Sequence, residues 1–135
     1  MINNYILDTN ICIYIINQSP QNVLKKFHEL DYRQISISII TYGELFYGIS
    51  KGHNFAKSKI SLDKFTQNIR IIPIDSDVAK HYGDIRAKLS KQGNIIGNND
   101  LWIAAHTRSL GATLVSNNLK GFECVKGLKT ENWVG

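Results

Sequence analysis

The sequence predicts an α/β fold: a single domain over residues 1–135, built on an open, mostly parallel sheet sandwiched by helices. Three observations lead there. Short apolar runs of strand length recur at Tyr5–Leu7, Gln34–Ile39, Arg70–Ile74 and Ala112–Val115. The segments between them are long, and most carry apolar residues at helical spacing. Strands joined by connections of helical length pair in parallel, with helices covering both faces of the sheet.

Taken in order, Tyr5-Ile6-Leu7 is the first and central strand, and Asp8-Thr9-Asn10 stands at its mouth. Asn10 to Asn17 is apolar nearly all round. Asp8 or Thr9 is a good N-cap for it, so it reads as a short buried helix. Pro20 is suited to the first position of the next helix, whose buried face is Val23, Leu24, Phe27 and Leu30. Gln34 to Ile39 alternates polar and apolar residues with period two, a strand signal. Thr41 caps the helix that follows, with Glu44 three residues later as in a capping box. Tyr42, Leu45, Phe46 and Ile49 form its buried stripe, which leaves Glu44 beside Thr41 and Gly48 on another face.

Phe55 to Asn68 is a basic amphipathic segment, with Ile60, Leu62 and Phe65 inside and Lys57, Lys59 and Lys64 outside. Arg70 to Ile74 is a short strand closed by Pro73. Asp75 or Ser76 caps a helix with the stripe Val78, Tyr82, Ile85 and Leu89. Gly93 to Asn99 is a turn-rich loop. Asn98 or Asn99 caps the helix Asp100–Leu110, whose dipole favours an anion at Asp100. Ala112 to Val115 is a buried strand, followed by Ser116-Asn117-Asn118. The tail through Glu131-Asn132-Trp133 supplies a last edge strand and a closing turn.

The chain is 43% apolar and 20% charged, an ordinary globular composition, and 135 residues suffice for one real core. A formal net charge of +5 points to an anionic partner. Cys12 and Cys124 have no metal-finger or redox spacing and read as buried free thiols in a reducing compartment. No positive charge precedes the first apolar residues, Asp8 and Asn10 interrupt that run, and no stretch approaches a membrane span. The expected location is the cytoplasm.

Three acids and an amide share one property. Asp8 and Asn118 follow strands, while Asp100 and Glu44 lie near helix starts beside strand ends, so all four belong on the carboxyl edge of the sheet. That edge is where open α/β sheets bind ligands. Converging carboxylates repel one another unless protons or a cation intervene. Oxygen ligands without Cys or His favour a hard ion, Mg²⁺ or Mn²⁺. In a basic protein such a site suits metal-assisted cleavage of a phosphodiester. His28, His53, His81 and His106 have no ligand spacing. Arg86 suits a salt bridge across the sheet, and Trp102 and Trp133 suit packing.

At these residues the chain resembles a known family. Leu7-Asp8-Thr9-Asn10, Thr41-Tyr42-Gly43-Glu44-Leu45, Gly97 to Ala105 and Leu114-Val115-Ser116-Asn117-Asn118 look like the four signature blocks of the PIN-domain ribonucleases, and most resemble the VapC toxins of bacterial toxin–antitoxin pairs. The resemblance implies a PIN-domain-like open sheet and a Mg²⁺- or Mn²⁺-dependent endoribonuclease that leaves a 5′-phosphate. It implies metal binding by Asp8 and Asp100, with Glu44 completing the acidic triad and Asn118 in support. It further implies a small VapB-like antitoxin that blocks the site, pairing of toxins into homodimers, and cleavage of tRNA in the anticodon loop. Many PIN domains carry Asp at the fourth site; Asn118 there disfavours a second tightly bound ion. The rival reading is a catalytically silent PIN-like or receiver-like partner-binding module, with Asp75 as the phosphoacceptor.

Overall fold

A computed structural model describes residues 4–135; residues 1–3, part of the stretch read above for targeting, lie outside the described residues. The chain forms β1 (Tyr5–Leu7), α1 (Thr9–Ile16), α2 (Gln21–Glu29), β2 (Ile35–Ser38), α3 (Ile39–Lys51), α4 (Phe55–Thr66) and β3 (Arg70–Ile72). It continues through α5 (Ser76–Lys91), α6 (Asn98–Ser109), β4 (Thr113–Val115), α7 (Leu119–Phe122) and β5 (Lys129–Glu131). The strands form one sheet in the order β3-β2-β1-β4-β5, and every pairing is parallel. β1 is central, as expected.

Alternation along the strands divides the core into two layers. Leu7, Ile35, Ile37 and Val115 face α1 to α4 on one side of the sheet. Ile6 and Leu114 face α5 and α6 on the other. Burial of each such side chain contributes about 2 kcal/mol of transfer free energy. β2 shows why the period-two pattern was informative. Ile35 and Ile37 are fully buried in the first layer, and Ser38 turns to the second, where its Oγ lies 2.8 Å from His106 Nδ1. Among the described residues no helix is long and apolar enough to cross a membrane.

Several local expectations need correction. α3 begins at Ile39 rather than after Thr41. Its N-cap is Ser38, whose hydroxyl accepts from the Ile40 N–H at 3.1 Å, and Thr41 is fully buried inside the first turn. Glu44 therefore belongs to no capping box. α6 begins at Asn98, with Gly97 as an N-cap that has no side chain to offer. Pro20 precedes α2 instead of opening it. Ile60 is 64% exposed, because α4 lies at the periphery and buries only Leu62 fully. Cys12 is buried as expected, but Cys124 is exposed. Arg86 makes no cross-sheet salt bridge among the described residues; its guanidinium donates to Tyr82 Oη, and the Tyr82 ring stacks on Trp102 at 3.8 Å.

Candidate active site

The site lies where the sheet's connections diverge. Chain leaving β1 eventually returns through β2 on one side, while β4 pairs with β1 on the other, so a crevice opens beyond the carboxyl ends of β1 and β4. Asp8 continues β1 into that crevice, its N–H held by Val115 O at 3.0 Å. One carboxylate oxygen, Oδ1, caps α1 by accepting from the Ile11 N–H at 2.9 Å. The Ser116 hydroxyl also hydrogen-bonds the carboxylate. Asp8 is thus buried, at 7% exposure, and locked by both strands.

Glu44 projects from the second turn of α3. Thr9 Oγ1 donates to its Oε1 at 2.5 Å, and Asn99 Nδ2 donates to its Oε2 at 3.3 Å. These two bonds tie α3 to the starts of α1 and α6. Gly48, one turn further on, leaves open space. Asp100 stands in the first turn of α6, half-buried, where the helix dipole favours its charge.

Electrostatics bind these three carboxylates into one unit. Burial pushes the Asp8 carboxyl above the ordinary 3.8, opposed by its hydrogen bonds to Ser116 and Ile11 and reinforced by the charges of Asp100 and Glu44. Burial also raises Asp100, and Glu44 adds to it. No lysine or arginine pairs with any of the three among the described residues. In a chain of net charge +5, that leaves a local excess of negative charge with no internal compensation. The carboxylates feel one another's charge without closing into a group of three metal-ligating side chains among the described residues. Only the chemistry of the donors, all oxygen, fits a hard cation that keeps several of its waters.

Asn118 follows β4 and is exposed on the same crevice, where it and Asp100 line a common cleft. Its own N–H donates to Ser116 Oγ at 3.0 Å. Ser116 therefore joins the backbone of Asn118 to the carboxylate of Asp8. The structure brings Asp100 and Asn118 onto one cleft and couples Asp8, Glu44 and Asp100 electrostatically, so all four anticipated residues meet at this edge.

Comparison with known proteins shows the family. Residues 5–127 match the PIN domain. A ribonuclease VapC2 from Haemophilus influenzae is 45% identical over 96% of this chain and 98% of its own length. A tRNA(fMet)-specific endonuclease VapC from Shigella flexneri is 40% identical over 96% of this chain and 97% of its own. The chain belongs to the VapC branch of the PIN-domain family. VapBC2 of Rickettsia felis, solved bound to a DNA fragment from its promoter, superposes with a TM-score of 0.90 at 40% identity, covering 96% of this chain and 98% of that one. DNA-bound VapBC of Salmonella typhimurium gives 0.91 at 34% identity, covering 97% and 98%.

Within this PIN domain, some supporting residues were invisible from the sequence. Thr9 and Asn99 were read only as candidate helix caps, and Ser116 only as part of a family block. Their hydrogen bonds to Glu44 and Asp8 span 35, 55 and 108 residues of chain. Asn117 is another: its Nδ2 donates to Tyr14 Oη at 2.9 Å, pinning the start of the β4–α7 turn to α1. The only local signal was that polar residues flank each acid.

Proposed function

We propose that this PIN domain is the toxin of a toxin–antitoxin pair and a Mg²⁺- or Mn²⁺-dependent endoribonuclease that hydrolyses RNA phosphodiesters. The observation that carries the reading is the carboxylate unit Asp8, Glu44 and Asp100, which has no cationic partner among the described residues. Asp8 and Asp100 would hold the ion, with Glu44 completing the acidic set. A divalent ion bound there supplies a polarised phosphoryl oxygen and a water of lowered pKa.

The protein's own contributions follow from its hydrogen bonds. Ser116 and the Ile11 N–H fix the orientation of the Asp8 carboxylate. Thr9 and Asn99 hold Glu44 with its two oxygens engaged, so its charge points at a fixed place. One carboxylate of the set is suited to orient the attacking water or take its proton. Asn118, exposed on the cleft, offers a neutral oxygen to position that water.

The Shigella relative's name supports tRNA as the substrate class, and the VapBC structures support inhibition by a VapB-like antitoxin and assembly into a complex. The receiver-like reading finds no support in the geometry. Asp75 follows β3, the outer strand on its side of the sheet, and its carboxylate caps α5 by accepting from the Val78 N–H at 3.1 Å.

The test is incubation of total cellular RNA with purified, antitoxin-free protein in Mg²⁺, in Mn²⁺ and in chelator, beside Asp8→Ala. Discrete fragments with 5′-phosphates that require metal and Asp8 are expected. Intact RNA in every lane from folded protein would remove the nuclease reading.

A further inference from the structure

The cleft that holds Asp100 and Asn118 has a second half that the acids do not use. It lies between α7 and the loop of residues 93–97, within a cleft of about 500 Å³ in all. Ile95 and Ile96 make one side apolar, and Ile95 is 93% exposed at the rim. Facing them is Lys120, in the single turn of α7. Its ammonium has no carboxylate partner among the described residues.

The walls of this cleft are built rather than accidental. Phe122 anchors α7 in the core at 3% exposure. Gly121 lets α7 come right against the loop: a Cβ there would sit 2.7 Å from Ile96 Cγ2. An unpaired cation beside an apolar surface, adjoining a carboxylate site, matches a nucleotide. The phosphate meets the ammonium while the base lies against the isoleucines. Only an unpaired strand presents both at once, because a duplex turns its bases inward.

We propose that Lys120 is a substrate-anchoring residue, its ammonium holding a backbone phosphate of single-stranded RNA next to the phosphodiester presented to Asp8, Glu44 and Asp100. The inference rests on the RNA-cleaving reading for the identity of the substrate. It adds the cation that grips the strand.

Binding of a short fluorescent single-stranded RNA, followed by anisotropy in chelator over about 50–200 mM salt, tests it without turnover. Lys120→Gln should weaken binding about tenfold and reduce the slope of log K against log salt by about 0.7, the single-strand contribution of one phosphate contact. Lys120→Arg should restore both. Lys64→Gln, on α4 and outside the cleft, serves as the charge control and should shift affinity less than about twofold. An unchanged slope in Lys120→Gln, or an equal effect from Lys64→Gln, overturns the proposal in favour of diffuse charge. Cleavage in Mn²⁺ runs in parallel, and Lys120→Gln should raise KM more than it lowers kcat. Wild-type protein that grips RNA through Lys120 yet never cuts it would leave the anchor standing and remove the nuclease reading instead.

Discussion

Replacing Gly121 by alanine should disturb catalysis from a position that touches no carboxylate. The new Cβ would lie 2.7 Å from Ile96 Cγ2 and 3.6 Å from Ile96 Cβ. Carbon atoms rest about 3.5–4.0 Å apart, so one partner must move by about 1 Å. Ile96 cannot swing its methyl aside cheaply, because a β-branched side chain is stiff at χ1. The displacement passes instead to the loop of residues 93–97, which runs into the N-terminus of α6 and hence towards Asp100. Overpacking of this size costs about 1–3 kcal/mol, or roughly 3–10 °C in melting temperature for a chain of this length. A 1 Å error at a reacting group costs up to about 100-fold in rate. The assay is a thermal melt beside single-turnover cleavage of RNA, repeated on the Gly121→Ala, Ile96→Ala double variant, which deletes the clashing methyl. The double variant should recover most of both losses relative to Ile96→Ala alone, giving a clear coupling term. A Gly121→Ala protein that melts and cleaves like wild type, or losses that simply add, would refute the close-packed wall.

Three further outcomes are expected. Asp100→Asn should stabilise the metal-free protein, and by more as pH rises. A carboxyl raised above 3.8 by folding contributes stability below its unfolded value and gives it up as pH climbs through the folded one, so the melting-temperature gap between variant and wild type should widen from about pH 4 to pH 7; a gap that narrows would contradict the burial and repulsion described. Thr9→Val removes the charge-assisted donor to Glu44 and should lower kcat about tenfold with little change in melting temperature, as read by single-turnover kinetics and circular dichroism; an unchanged kcat would show that Glu44 needs no tether. With a thiol reagent, native protein should titrate Cys124 rapidly and Cys12 only after denaturation, and a silent Cys124 would contradict its exposure.

The layers of the fold were legible because they rest on local chemistry. Ile35 and Ile37 alternate with serines, so the two faces of β2 could be assigned before any partner was known. The stripes Val78, Ile85, Leu89 and Tyr42, Leu45, Phe46, Ile49 do pack against the core. Caps were less legible. Ser38 was absorbed into the strand pattern although its hydroxyl starts α3, and two asparagines drew attention from Gly97. α7 was missed altogether, since four residues give no periodicity. Ile60 and Cys124 show that an apolar side chain does not reveal whether its element is central or peripheral. The placement of Asp8, Asp100 and Asn118 on the carboxyl edge was legible because each stands at a strand end or helix start, while Glu44 lies a turn inside α3. Thr9, Asn99 and Ser116 acquire their roles only when the folded chain brings distant segments together.

The most direct test of the central claim compares single-turnover RNA cleavage in Mn²⁺ by wild type and by Asp100→Asn, each shown to be folded by its melt. The account predicts that Asp100→Asn melts at or above the wild-type temperature and cleaves at least about 100-fold more slowly, because the substitution relieves repulsion while removing a group that acts on the reacting atoms. A folded Asp100→Asn protein that cleaves at the wild-type rate would contradict it.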